Sequence, residues 1–171
     1  VFQNMKLAEQ RSKILKKLNL QKNQYFLITA HRAENVDNQE RLKGILKGIE
    51  MINKEFSLPV IYPIHPRTRK MLKEFKLSIP QCIKLIEPLG YLDFLLLQKN
   101  AKLILTDSGG IQEEACIIKV PCITLRDNTE RPETLLVKSN ILAGTNPEKI
   151  LKSAKKMLNS KRQWKNPFGN G

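Results

Sequence analysis

Two spatial periods alternate along this chain, and that alternation limits its fold more than any other feature. Apolar runs of strand length recur at 25–29, 59–63, 83–86, 102–106 and 122–125, with a weaker one at 141–143. Between them lie segments with apolar residues at helical spacing, at 5–18, 39–53, 67–75, 92–100, 110–118 and 147–158. The last opens with Asn146 as a capping residue and Pro147 in the first turn, where a missing N–H costs nothing. The strands read as continuous apolar runs rather than alternating ones, so both faces of their sheet should be covered by helices. The expected fold is α/β, a doubly wound parallel sheet of about six strands with helices on both faces.

In such a sheet, ligands bind outside the carboxyl ends of the strands. The polar clusters of this chain fall there: Thr29 to Asn35, His65-Pro66-Arg67, Asp107-Ser108-Gly109-Gly110, and Arg126 to Glu133. Four strand ends therefore point to one cleft. The strongest single element is Thr106-Asp107-Ser108-Gly109-Gly110-Ile111-Gln112-Glu113-Glu114. Two glycines after a strand, opening a helix, let backbone N–H groups and the positive helix end approach a phosphate. A carboxylate about a turn further on, Glu113 or Glu114, is suited to accept hydrogen bonds from ribose hydroxyls. A tight strand-to-helix turn capped by Ser108 would produce the same residues without a ligand.

The remaining site candidates carry the same ambiguity. His31 ends the first strand among charges, where an imidazole can bind a phosphate oxygen or move a proton, or simply be hydrogen-bonded in place. His65 sits between two prolines that shape the turn, which favours structural use. In Thr129-Glu130-Arg131-Pro132-Glu133 an arginine between acids could clamp a diphosphate or belong to a surface ion-pair network.

Composition excludes several classes. At 171 residues, with 41% hydrophobic and 27% charged, the chain suits one globular domain with a core. It holds no apolar run of membrane-spanning length and no signal-peptide layout, so a cytoplasmic protein off the membrane is expected. The net charge of +14 comes from lysines spread over helix faces, without interleaved aromatics that could stack bases, and nucleic acid is not an expected partner. There is no GxGxxG, GxxxxGK[ST], GxSxG or HExxH pattern and no Cys/His cluster, so neither a metal nor a separate cofactor is expected. Cys82, Cys116 and Cys122 lie in apolar stretches and should be free core thiols.

Taken together and in order, TAHRAEN (29–35), YPIHP (62–66), EPLGYLDF (87–94), TDSGGIQEE (106–114) and LRDNTERPE (125–133) resemble the non-hydrolysing UDP-N-acetylglucosamine 2-epimerases. The resemblance implies the C-terminal half of a glycosyltransferase-B-type fold, a Rossmann-like UDP-binding domain over 1–160. It also implies that the turn-rich tail at 161–171 leads to a further C-terminal helix. The activity implied is interconversion of UDP-GlcNAc and UDP-ManNAc by elimination and re-addition of UDP. The proton-transfer acids would reside in a separate N-terminal domain, without which this chain would be inactive, and the full-length enzyme would be a homodimer. By motif, His31 is similar to the family's active-site histidine near the diphosphate. Ser108, Gly109 and Gly110 resemble its phosphate- and nucleoside-binding turn, Glu114 its ribose-binding acid, Phe94 a residue lining the uracil pocket, and Arg131 an arginine on the UDP moiety. Arg32 and His65 resemble positions that touch a second, regulatory UDP-sugar in some members.

Lys119 and Lys138 stand where members often carry glycine. Because glycine takes positive φ cheaply and lysine does not, Lys138 could alter the backbone of the loop after TERPE. A UDP-sugar-dependent glycosyltransferase domain and a non-catalytic UDP-sugar-binding module would share the same nucleotide grip, and both remain open at this level.

Overall fold

The computed structural model describes residues 1–169. The strands are β1 (Phe26–Thr29), β2 (Val60–Pro63), β3 (Ile83–Ile86), β4 (Leu103–Thr106), β5 (Cys122–Thr124) and β6 (Asn140–Leu142). They form one parallel sheet in the order β3-β2-β1-β4-β5-β6. The helices are α1 (Phe2–Arg11), α2 (Ile14–Leu18), α3 (Ala33–Val36), α4 (Gln39–Phe56), α5 (Pro66–Glu74), α6 (Tyr91–Asn100), α7 (Gly109–Ile117), α8 (Pro132–Leu136) and α9 (Pro147–Asn159). The strand order reverses between β1 and β4, which lie side by side with Thr29 opposite Thr106. That reversal opens a crevice between the two loops leaving these strands.

The two faces of the sheet carry separate cores. Phe26, Ile28, Val60, Tyr62, Leu103 and Leu105 pack with Leu42, Ile45 and Ile49 of α4 and Ile150 and Ala154 of α9. The intervening strand residues Leu27, Ile61, Ile104 and Cys122 pack instead with Met5 of α1, Leu95 and Leu97 of α6, and Ala115 of α7. Side chains two apart share a face, so an apolar residue at every strand position requires cover on both sides. Gly44 and Gly48 let α4 close on α9. A Cβ at Gly44 would stand 2.3 Å from the Thr145 carbonyl oxygen, and one at Gly48 would stand 2.8 Å from Ile150 Cδ1.

Local expectations hold at the Asn146 cap and fail at a break. The Asn146 side chain accepts from Lys149 N–H at 2.9 Å, with Pro147 in the first turn. The single helix expected over 5–18 is two helices, because Ser12 is extended. Its hydroxyl donates to Asp93 Oδ1 at 2.6 Å and accepts from Ile14 N–H at 3.2 Å, a local alternative to helical bonding. Helices α3 and α8 are too short to show a period and were not expected from the sequence.

Lys119 and Lys138 both take φ of 62°. Each follows a helix end in which the next N–H reaches back to the last turn, Val120 to the Ala115 carbonyl and Ser139 to the Thr134 carbonyl. Lysine thus occupies the left-handed closing position that glycine usually fills, and the loop keeps the glycine-like path instead of changing it. Of the three free thiols, Cys116 and Cys122 are buried, and Cys82 is only half-buried, at variance with the expectation of a core site. Burial pushes all three thiols up, away from the reactive thiolate.

The segment after α9 packs back on the domain. Trp164 is buried and donates from Nε1 to the Cys116 carbonyl at 2.9 Å. The Lys119 ammonium lies 5.7 Å from its ring centroid and donates to its carbonyl. The expected continuation of the tail past Asn170 and Gly171 lies outside the described residues.

Candidate functional site

At the β1/β4 crevice the loops of two adjacent strands are joined by one buried carboxylate. Asp107 Oδ2 accepts from the His31 and Arg32 N–H groups, each at 2.9 Å, and from Asn35 Nδ2 at 3.2 Å. Asn35 also donates to the Leu125 carbonyl, so the loops after β1, β4 and β5 share a single network. Below them, the hydroxyls of Thr29 and Thr106 meet at 2.7 Å. The Asp107 side chain has no exposure, whereas that of His31 is 39% exposed and faces outward.

His31, His65 and Phe94 come together in a cleft of about 150 Å³, completed by Thr29, Pro63, Leu89 and Ile111. The two imidazole centroids are 5.7 Å apart. His65 also serves the fold, since its Nδ1 accepts from Arg67 N–H at 3.2 Å and caps α5. The structural use foreseen for this residue is therefore present, on the wall of the cleft.

Helix α7 organises the other flank. Ser108 precedes it, but its hydroxyl makes no capping bond, and its own N–H is taken by Thr106 Oγ1 at 3.0 Å. The first-turn N–H groups of Gly109, Gly110 and Ile111 thus have neither an intrahelical partner nor a side-chain cap, the arrangement that receives an anion. Neither glycine has positive φ, so backbone conformation does not call for them. A Cβ on Gly109 would sit 3.2 Å from Glu130 Oε2, whereas at Gly110 the nearest atom would be 4.0 Å away.

Two acids further along α7 face opposite neighbours. Glu113 accepts from Arg131 Nε at 2.9 Å, while Arg131 Nη1 donates to the Glu130 carbonyl. The guanidinium is thereby held near the start of α7 with Nη2 outside these bonds. Glu114 points towards α6, accepting from the Tyr91 hydroxyl at 2.9 Å and from Gln98 Nε2 at 2.6 Å. A carboxylate has about four lone-pair positions, so two bonds leave it able to accept from a diol. Glu130 accepts from Arg126 and pairs with Arg32, contacts that hold its carboxyl below the usual range.

Several contributors carry no periodic signal. Asn140 in β6 donates to Thr124 and Thr134, and Gln112 accepts from Thr129, which in turn accepts from Arg131 N–H. This chain, buried at Asn140 and partly buried at Thr129, fixes the loop that presents Arg131. Asp107 had a visible clue, an acid directly at the end of a fully apolar strand, although the sequence assigned it no role. Among the described residues, no three His, Cys, Asp or Glu side chains are grouped so as to hold a metal ion.

A parallel sheet in this order, with uncapped helix amides, an arginine and an imidazole gathered at its switch point, defines a Rossmann-like domain, the C-terminal half of a glycosyltransferase-B-type fold. The chain belongs to the UDP-N-acetylglucosamine 2-epimerase family, whose sequence profile matches residues 1–171. It is 60% identical to the UDP-N-acetylglucosamine 2-epimerase of Methanocaldococcus jannaschii over 99% of this chain and 48% of that protein. It is 58% identical to the enzyme of the same name from Methanococcus maripaludis, again over 99% of this chain and 48% of the relative. The crystal structure of the M. jannaschii epimerase in complex with UDP-GlcNAc and UDP superposes with a TM-score of 0.92, covering 99% of this chain and 48% of that one. The chain therefore spans about half the length of the curated relatives it matches.

Proposed function

We propose that this chain is the UDP-gripping half of a UDP-N-acetylglucosamine 2-epimerase that interconverts UDP-GlcNAc and UDP-ManNAc. The reading is carried by the 0.92 TM-score, at 60% identity, with an epimerase solved in complex with UDP-GlcNAc and UDP. The uncapped amides of α7 and Arg131 would take the diphosphate, Glu114 the ribose hydroxyls, and Phe94 the uracil. His31 would be the catalytic group beside the diphosphate, and Arg32 and His65 would meet a second, regulatory UDP-sugar. The nucleotide-binding unit is assigned to 1–160, in a cytoplasmic enzyme that is a homodimer at full length.

In this reaction UDP leaves C1 as the C2 proton is removed, and it adds back after a proton returns to the other face. Holding the leaving UDP is then itself catalytic. Preformed N–H dipoles and a guanidinium stabilise charge as it develops on the diphosphate and keep the leaving group in place for re-addition. The acids that move the C2 proton are assigned to a second domain.

Calorimetry and a coupled epimerisation assay test this division of labour. The chain alone should bind UDP weakly and not turn over, and activity should appear when the second domain is supplied. Failure to bind UDP at millimolar concentration would remove the nucleotide assignment, and robust turnover by the chain alone would remove the assignment of the proton-transfer acids.

A further inference from the structure

Two imidazoles share the cleft, and the structure surrounds them oppositely. His65 Nδ1 accepts from a backbone N–H, so its ring carries its proton on Nε2. His31 Nδ1 instead faces an acceptor, Asp107 Oδ1, at 3.3 Å, within ion-pair range but outside hydrogen-bond geometry. Asp107 cannot turn away, because His31 N–H, Arg32 N–H and Asn35 Nδ2 all hold its other oxygen. Its Oδ1 is buried and has no hydrogen-bond partner among the described residues. A buried acceptor without a donor is rare in folded proteins, and the imidazole beside it is the group placed to supply the missing N–H.

We propose that Asp107 is a positioning residue for His31, holding the neutral imidazole as its Nδ1–H tautomer so that Nε2 meets the ligand. Nε2, across the ring from Asp107, is then a proton acceptor when the ring is neutral. When the ring is charged, Nε2 is an N–H donor, and Asp107 balances the imidazolium from behind. The same division between an orienting acid and a working imidazole recurs wherever a carboxylate fixes a histidine tautomer. The use of Nε2 on a diphosphate rests on the proposed function, whereas the tautomer assignment does not.

Because the sequence holds two histidines, long-range proton–nitrogen NMR of the nitrogen-15-labelled chain resolves the matter, with His65→Gln used to assign the signals. Above the range in which the rings titrate, His31 should show a pyrrole-type Nδ1 and a pyridine-type Nε2. His65 should show the reverse, an internal control in the same spectrum. In Asp107→Asn the amide oxygen can keep the three N–H donors, which turns Nδ2 towards His31 and should move the imidazole proton to Nε2, inverting the pattern. An Nε2–H tautomer in the unsubstituted chain, or an unchanged tautomer in a folded Asp107→Asn variant, would overturn the proposal. If that variant loses its fold, seen in the backbone amide spectrum, the tautomer of the unsubstituted chain decides alone. Absence of UDP binding with His31 still Nδ1–H would count against the proposed function and leave this inference standing.

Discussion

Glu114 offers the sharpest separation of nucleotide grip from structural support, and the structure changes how it should be perturbed. If its carboxylate accepts from the ribose hydroxyls, Glu114→Ala should weaken UDP binding by about 1.5–3 kcal/mol, roughly ten- to 150-fold. The same change also strips Gln98 of the acceptor for its Nε2, and Gln98 is fully buried with Oε1 already lacking a partner. Stranding that amide should cost about 1–3 kcal/mol of stability, or about 2–4 °C in Tm for each kcal/mol in a chain of this size. Alanine therefore conflates two effects. Glu114→Gln retains an oxygen for Gln98 and removes the charge, so its stability should stay near that of the unsubstituted chain. UDP should then bind about five- to tenfold more weakly, the difference between a charged and a neutral hydrogen bond. Calorimetry with UDP and with 2′,3′-dideoxy-UDP completes the comparison, because the analogue lacks the partner hydroxyls and its affinity should hardly respond. Equal losses for both ligands in Glu114→Gln would mean that Glu114 only supports the α6–α7 contact, and the ribose assignment would be abandoned.

Three further outcomes follow from the packing and the charges. Gly44→Ala forces a Cβ to within 2.3 Å of the Thr145 carbonyl, so α9 must shift, and thermal melting should show a loss of about 1–3 kcal/mol. Lys138→Gly removes a left-handed strain of about 1–2 kcal/mol, partly offset by roughly 0.5–1 kcal/mol of extra freedom in the unfolded chain. Its melting temperature should rise, whereas Lys119→Gly should gain less because it also gives up the contacts to Trp164; equal gains would remove the anchoring role of Lys119. The carboxyl of Glu130 is held low first by its hydrogen bond from Arg126 and then by the charge of Arg32, and that of Asp37 chiefly by its hydrogen bond from Arg67. A depressed folded value gives stability that is complete above the unfolded value and lost as pH falls through the folded one. Stability should therefore decline below the ordinary glutamate value of 4.5, and Glu130→Gln should flatten part of that decline in melts across pH.

What the sequence alone determined is what depends on neighbours along the chain. Continuous apolar runs at Phe26–Thr29 and Leu103–Thr106 specify buried strands, helical spacing specifies the covering helices, and Asn146-Pro147 specifies a start, because each is a short-range preference repeated often enough to read. The motif residues were legible for the same reason, as polar groups placed at the ends of those runs. The break at Ser12 was not, since it depends on Asp93, 81 residues away, and α3 and α8 were too short for any period to emerge. Only the tertiary structure decided the strand order, and the order decides the site. With β4 beside β1, Asp107 reaches the amides of His31 and Arg32; with another neighbour, the same residues would be separate loop ends. The opposite surroundings of His31 and His65, the split between Glu113 and Glu114, and the left-handed Lys138 are likewise decided by contacts between segments distant in sequence or by the closure of a helix end, which no local pattern of residue types encodes.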